Sequence, residues 1–136
     1  HPGILAFIEI LREKHRTVPV IVMSPIYAAK NNAETTPNEV GFTLQGMRRE
    51  IKEAVDILNY LGDKNVFYLD GLNIFDKTQA HLLHDEIHPN SEGYRAIAEI
   101  ISQSLHPYIS NLRYKPKINN IKFQSKIRPR ENHNDG

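Results

Sequence analysis

The sequence predicts an α/β fold with parallel strands in a layered sheet, and three observations predict it. Helix-period segments alternate with two short, β-branched apolar runs. Both runs stop at turn residues. The chain length of 136 residues, 40% hydrophobic and 24% charged, is that of one ordinary globular domain. The resulting order of helix, strand, helix, strand, helix is the rhythm of a βαβ layered fold. Two continuously apolar parallel strands cannot bury themselves, so neighbouring strands are expected from residues preceding His1.

Residues 3–15 read as a helix because Ile4, Phe7, Ile8 and Leu11 recur at helical spacing behind Pro2, a residue suited to a first turn. Residues 18–23, "VPVIVM", form a strand pattern buried on both faces and ended by Ser24 and Pro25. Residues 27–41 lack periodicity and are rich in Asn, Thr, Pro and Gly, which predicts a long surface loop at the strand's C-terminal end. Phe42, Thr43 and Met47 fit a hydrophobic staple around a Thr cap. The helix they open presents Leu44, Met47, Ile51, Val55, Leu58 and Leu61 on one face and ends at Gly62. Residues 65–72, "NVFYLDGL", read as a second strand halted at Asp70 and Gly71. The last helix spans about residues 91–105, with Tyr94, Ile97, Ala98, Ile101 and Leu105 on one face and Asn90 or Ser91 as cap.

Residues 1–106 therefore form the α/β unit, and residues 107–136 read as a basic, flexible tail. That tail holds seven Lys or Arg against Glu131 and Asp135, while the net charge of the whole chain is only +1. Tyr114 and Phe123 among these cations make too diffuse a cluster to predict a nucleic-acid partner. The chain has no cysteine, which excludes a disulfide framework, a thiol nucleophile and a thiolate metal site. No apolar run approaches the roughly 20 residues of a membrane span, so no such span is expected. An unpaired strand edge favours self-association.

The chemistry concentrates in "HDEIHPNSEGYRAIAEII", residues 84–101. Pro89 steers His88 away from helical torsions, so His88 belongs on a loop, with Asn90 leading into the helix behind it. Asp85, three residues earlier, is spaced to fold back onto one ring nitrogen, fixing the tautomer and stabilising the imidazolium formed when the other nitrogen takes a proton. In a parallel sheet the connections after the strands lie at their carboxyl ends, where ligands bind. Asp85 and His88 are thus the candidate catalytic acid and base.

These residues resemble the last signature block of the SGNH or GDSL-type hydrolases, Asp-x-x-His followed by Pro, here "DEIHP". The segments "PVIVMSPI", "GFTLQGMRREIKEAV" and "NVFYLDGLNIF" are similar in order and spacing to the strand, helix and strand that precede that block. The resemblance covers residues 1–106. It implies a flavodoxin-like three-layer fold whose N-terminal strands are missing, and a serine esterase or acylhydrolase that acts on a small-molecule, carbohydrate or lipid ester without a cofactor. It also implies that His88 is general base and then general acid, with Asp85 orienting it. The nucleophile of such enzymes sits in a Gly-Asp-Ser block, and the only Gly-Asp here, Gly62 and Asp63, is followed by Lys64. No Gly-x-Asn-Asp-like oxyanion block is present either. The expectation is a C-terminal portion that is inactive alone.

Other readings of the same residues stand beside this one. Asp70, at a strand end, is a second candidate to orient His88, with turn-making beside Gly71 as its ordinary role. Ser24 is the one serine at a strand's carboxyl end, although Ser-Pro commonly just ends a strand. His81, His84, Asp85 and His88 form a dense set of metal-ligand types, a reading that Pro89 weakens by keeping His88 out of a helix. The competing functional class is a degenerate or non-enzymatic α/β binding module.

Overall fold

Helix α1 (Pro2–Lys14) opens on Pro2, whose missing N–H costs nothing in a first turn, and buries Ile8 with Ile4 and Leu5 beside it. The computed structural model describes residues 2–110. Near the end of α1, Arg12 Nε donates to Asp63 Oδ2 at 2.6 Å and Nη2 donates to the Asn65 carbonyl at 2.9 Å. Its Nη1 reaches the Val18 carbonyl at 2.6 Å. One guanidinium thereby fixes the segments that lead into both strands.

Strand β1 (Val20–Met23) pairs with β2 (Val66–Leu69) in parallel, Val20 opposite Val66 and Met23 opposite Leu69. The two-residue period of a strand sends Val20, Val22, Val66 and Tyr68 to one face. There they meet Ile8 of α1 and Val55 and Leu58 of helix α2 (Leu44–Tyr60), forming the core. On the other face Phe67 packs on Tyr108 of helix α3 (Ser91–Ile109), ring centroids 4.6 Å apart. Helices cover both faces of two parallel strands, which makes the chain α/β as expected.

Helix α2 begins where its cap predicts: Thr43 Oγ1 accepts the Gly46 N–H at 2.9 Å. It ends in a Schellman arrangement in which the Gly62 N–H donates to Asn59 and the Asp63 N–H to Leu58, with Gly62 at φ 108°. Val55 and Leu58 are buried, but Leu61 is 71% exposed. As the C-cap residue it still donates its N–H to the Ile57 carbonyl at 2.9 Å, so it keeps the helical period but projects into solvent.

Helix α3 is capped by Asn90, whose Oδ1 accepts from Glu92 and Gly93 N–H groups, and it continues to Ile109 past the expected end at 105. The ring contact between Phe67 and Tyr108 supplies tertiary support that a periodicity reading cannot see. Tyr94, expected on the packed face, is 57% exposed, whereas Gly93 is buried. The helix meets the preceding loop through its first turn: a Cβ on Gly93 would lie 2.9 Å from Pro89 Cβ. Of the expected basic tail, residues 111–136 lie outside the described residues.

An open apolar groove of about 550 Å³ runs along β1, lined by Phe7 and Leu11 of α1, Ile21 and Met23 of β1, and Ile51 of α2. No further strand joins the sheet among the described residues. Among the same residues no helix is long and apolar enough to cross a membrane.

Candidate active site

The carboxyl ends of β1 and β2 are joined by a close backbone contact centred on Gly71. A Cβ there would overlap the carbonyl oxygens of Ser24 and Pro25. The Gly71 N–H donates to Ser24 Oγ at 3.0 Å, and Tyr68 Oη lies 3.0 Å from the same oxygen. Ser24 is 1% exposed, so its hydroxyl is a buried acceptor holding two strand ends together. This removes Ser24 as a nucleophile candidate. Asp70 caps the short 3₁₀ turn Gly71–Asn73, its Oδ1 accepting the Leu72 N–H at 3.0 Å, which is the turn-making role.

Beyond that turn, Asp76 and Gln79 form a capping box for a second 3₁₀ segment, Lys77–Leu82. The chain then enters a small closed loop. Leu83 and Pro89 form an isolated antiparallel bridge, the His84 N–H donates to the His88 carbonyl at 3.0 Å, and the Asn90 N–H donates to Leu82 at 2.7 Å. Pro89 is buried against the first turn of α3. The loop base is thus pinned on both strands of the bridge, and its tip carries residues 85–88.

At that tip Asp85 does two things. Its Oδ1 accepts the backbone N–H groups of Ile87 at 3.1 Å and His88 at 2.7 Å, closing an Asx turn. Its Oδ2 lies 2.7 Å from His88 Nδ1. The His88 side-chain hydrogen bond, followed by the His88 backbone N–H, holds the Asp85 carboxyl well below the usual carboxylate range. An ionised Asp85 can only accept, so it selects the neutral imidazole tautomer with the proton on Nδ1. His88 Nε2 is then the acceptor, and it has no hydrogen-bond partner among the described residues. The His88 side chain as a whole is 60% exposed. The sequence pair is therefore brought together in the geometry of a base and its orienting acid.

His84 lies on the same loop, its Nδ1 2.9 Å from the His88 carbonyl and its Nε2 3.7 Å from Asp85 Oδ2. His81 Nδ1 faces the Thr78 carbonyl of its own turn at 3.2 Å. Among the described residues no three His, Cys, Asp or Glu side chains converge in a way that could hold a metal ion. No serine hydroxyl among them lies within hydrogen-bond distance of His88.

The loop after β1 closes one side of the site. It contains a short 3₁₀ turn, Lys30–Asn32, with Asn31 and Asn32 at positive φ, and it buries Ala28. An absence of periodicity correctly signals a loop but says nothing of these anchors. A cleft of about 300 Å³ lies between part of it and the loop carrying Asp85 and His88, lined by Lys30, Ala33, Pro37 and Ile87 among others. Arg48, a residue the sequence reading passes over, is buried on α2 and bonds to this loop. An Arg on the apolar side of a helix, near a Glu-bearing loop, is the only sequence signal for it.

No protein-family model matches this chain, and no curated protein matches it. Among solved structures it is similar to the salicylyl-acyltransferase SsfX3 from a tetracycline biosynthetic pathway, with a TM-score of 0.69 and 24% identity, covering 82% of this chain. The chain spans 32% of the length of that structure. At this identity the likeness shows the fold alone.

Proposed function

We propose that this chain carries the acid and base of a serine acyl-transfer site of the SGNH or GDSL type, working as an esterase or acylhydrolase on a carboxylic ester. His88 Nε2 takes the proton of a serine hydroxyl as its oxygen bonds to the acyl carbon, then gives that proton to the leaving alcohol. Water next loses a proton to Nε2 as its oxygen attacks the acyl-serine, and the serine oxygen departs with that proton. Asp85 holds Nδ1–H throughout and stabilises the imidazolium. None of these 136 residues is assigned as the nucleophile or an oxyanion donor, and the substrate is assigned to small-molecule, carbohydrate or lipid esters.

The observation that carries this reading is the 2.7 Å contact between Asp85 Oδ2 and His88 Nδ1, on an exposed imidazole in the loop that follows β2. The fold likeness to an acyltransferase is in keeping with it, because a base that activates water also activates an alcohol acceptor. A fluorophosphonate probe tests the proposal on the full-length protein. Covalent labelling of one serine, slowed by His88→Ala, is the expected result. A full-length protein that takes no label belongs instead to the non-enzymatic binding class.

A further inference from the structure

The Arg48 guanidinium is buried and spends its donors on one segment of chain. Nε donates to the Pro25 carbonyl at 2.9 Å and Nη2 to the Ile26 carbonyl at 3.1 Å. Nη1 and Nη2 grip the Glu34 carboxylate at 2.5 and 2.9 Å, the two-pronged geometry that gives Arg its directional hold. Residues 25–34 are therefore tied at both ends to one side chain of α2. Between those ends the Ala29 N–H donates to the Glu86 carbonyl at 2.8 Å, and the Lys30 N–H reaches the same oxygen at 3.3 Å. Glu86 sits between Asp85 and Ile87 at φ 68°, a left-handed conformation that a residue with a Cβ adopts only when its surroundings hold it there. That conformation turns the backbone so that the N–H groups of residues 87 and 88 meet Asp85 Oδ1.

We infer that Arg48, through its bidentate pair with Glu34, is a positioning residue for the Asp85 and His88 pair, acting by way of the Ala29 to Glu86 backbone hydrogen bond. The coupling runs from α2 to the loop after β1, and from that loop to the tip carrying His88. Its catalytic meaning rests on the proposed function, but the coupling itself is a property of the chain. The alternative is that Arg48 only staples its loop, with Asp85 and His88 held by their own turn and by the bridge from Leu83 to Pro89.

Two measurements on the full-length protein separate these roles without any turnover. Amide exchange reads the link at Ala29, with the Val20 N–H, bonded to Asn65, as a control for the fold. Imidazole ¹⁵N shifts read the His88 tautomer, with His84, the other ring beside Asp85, followed in the same spectrum. In Arg48→Met the Ala29 amide is expected to exchange at least tenfold faster while Val20 is unchanged, and His88 shifts from the Nδ1–H form toward a mixture. Arg48→Lys, which cannot reproduce the fork, restores only part of each signal. If Arg48→Met fails to fold, Glu34→Gln and Glu34→Ala give the same two readouts from the less buried end of the pair. A folded variant with faster Ala29 exchange but an unchanged His88 tautomer overturns the inference, as does unchanged Ala29 exchange. Neither result bears on whether His88 is catalytic, which ester turnover decides separately.

Discussion

Asp85 uses both carboxylate oxygens on one neighbour: Oδ1 accepts the His88 backbone N–H and Oδ2 faces His88 Nδ1, each at 2.7 Å. The turn that shapes the loop and the bond that orients the ring are thus made by one group. Replacing Asp85 with Asn retains an acceptor for the turn but removes the anion that stabilises an imidazolium. Asp85→Asn is expected to lower kcat/KM for ester hydrolysis roughly 10²–10⁴-fold in the full-length protein, with a lowered unfolding midpoint but a protein still folded at the assay temperature. Steady-state kinetics beside a melting curve checks both halves.

Because the His88 contact depresses the folded-state pKa of Asp85, its contribution to stability is present above the ordinary carboxylate pKa. It is lost as pH falls from there toward the folded value. A ¹³C titration of the Asp85 carboxyl should show no protonation at pH 4, where an unperturbed aspartate, with pKa about 3.9, is roughly half protonated. A midpoint near 4 would mean that the pair does not form in solution.

Ser24 is expected to matter for stability and not for chemistry. Ser24→Ala strips the buried Gly71 N–H of its acceptor and Tyr68 Oη of its partner. A loss of about 1–3 kcal/mol in urea unfolding follows. Activity per folded molecule should be unchanged.

Gly71 is where the two strand ends meet too closely for any side chain. Gly71→Ala forces Pro25 or the turn at 71–73 to move, at a cost of about 1–3 kcal/mol. Urea unfolding measures this. A crystal structure of the variant should show the displacement at the carboxyl ends of β1 and β2.

The Arg12 and Asp63 pair predicts an acid-sensitive junction. The Arg12 hydrogen bond holds the Asp63 carboxyl below its ordinary value, so its stabilisation is complete above about pH 4 and declines as pH falls further. Asp63→Asn should cost about 1 kcal/mol at pH 7, allowing for partial exposure. The difference from the parent protein should shrink below pH 4, as chemical denaturation at several pH values would reveal.

Much of this was legible in the sequence because it is local. The Thr43 and Asn90 caps, the Gly62 stop and the two apolar strand runs each depend on a few adjacent residues, and the Asp85 to His88 contact spans three. What escaped it is tertiary. Arg48 reaches Pro25 and Glu34 across 23 and 14 positions, and Ser24 meets Gly71 across 47. No periodicity encodes such pairs. The extension of α3 to Ile109 likewise depends on Phe67, a residue on a different element. Leu61 and Tyr94 fit the helical period yet stand in solvent, because period identifies a face and not what covers it.

The central claim is that His88 is the base of an acyl-transfer site, and ester hydrolysis by His88→Ala in the full-length protein tests it most directly. With p-nitrophenyl acetate as substrate, kcat/KM is expected to fall roughly 10²–10⁴-fold at pH 7.5 for protein that a melting curve shows to be folded at the assay temperature. A folded His88→Ala protein that hydrolyses the ester within about twofold of the parent rate, a change far short of removing a general base, would contradict it.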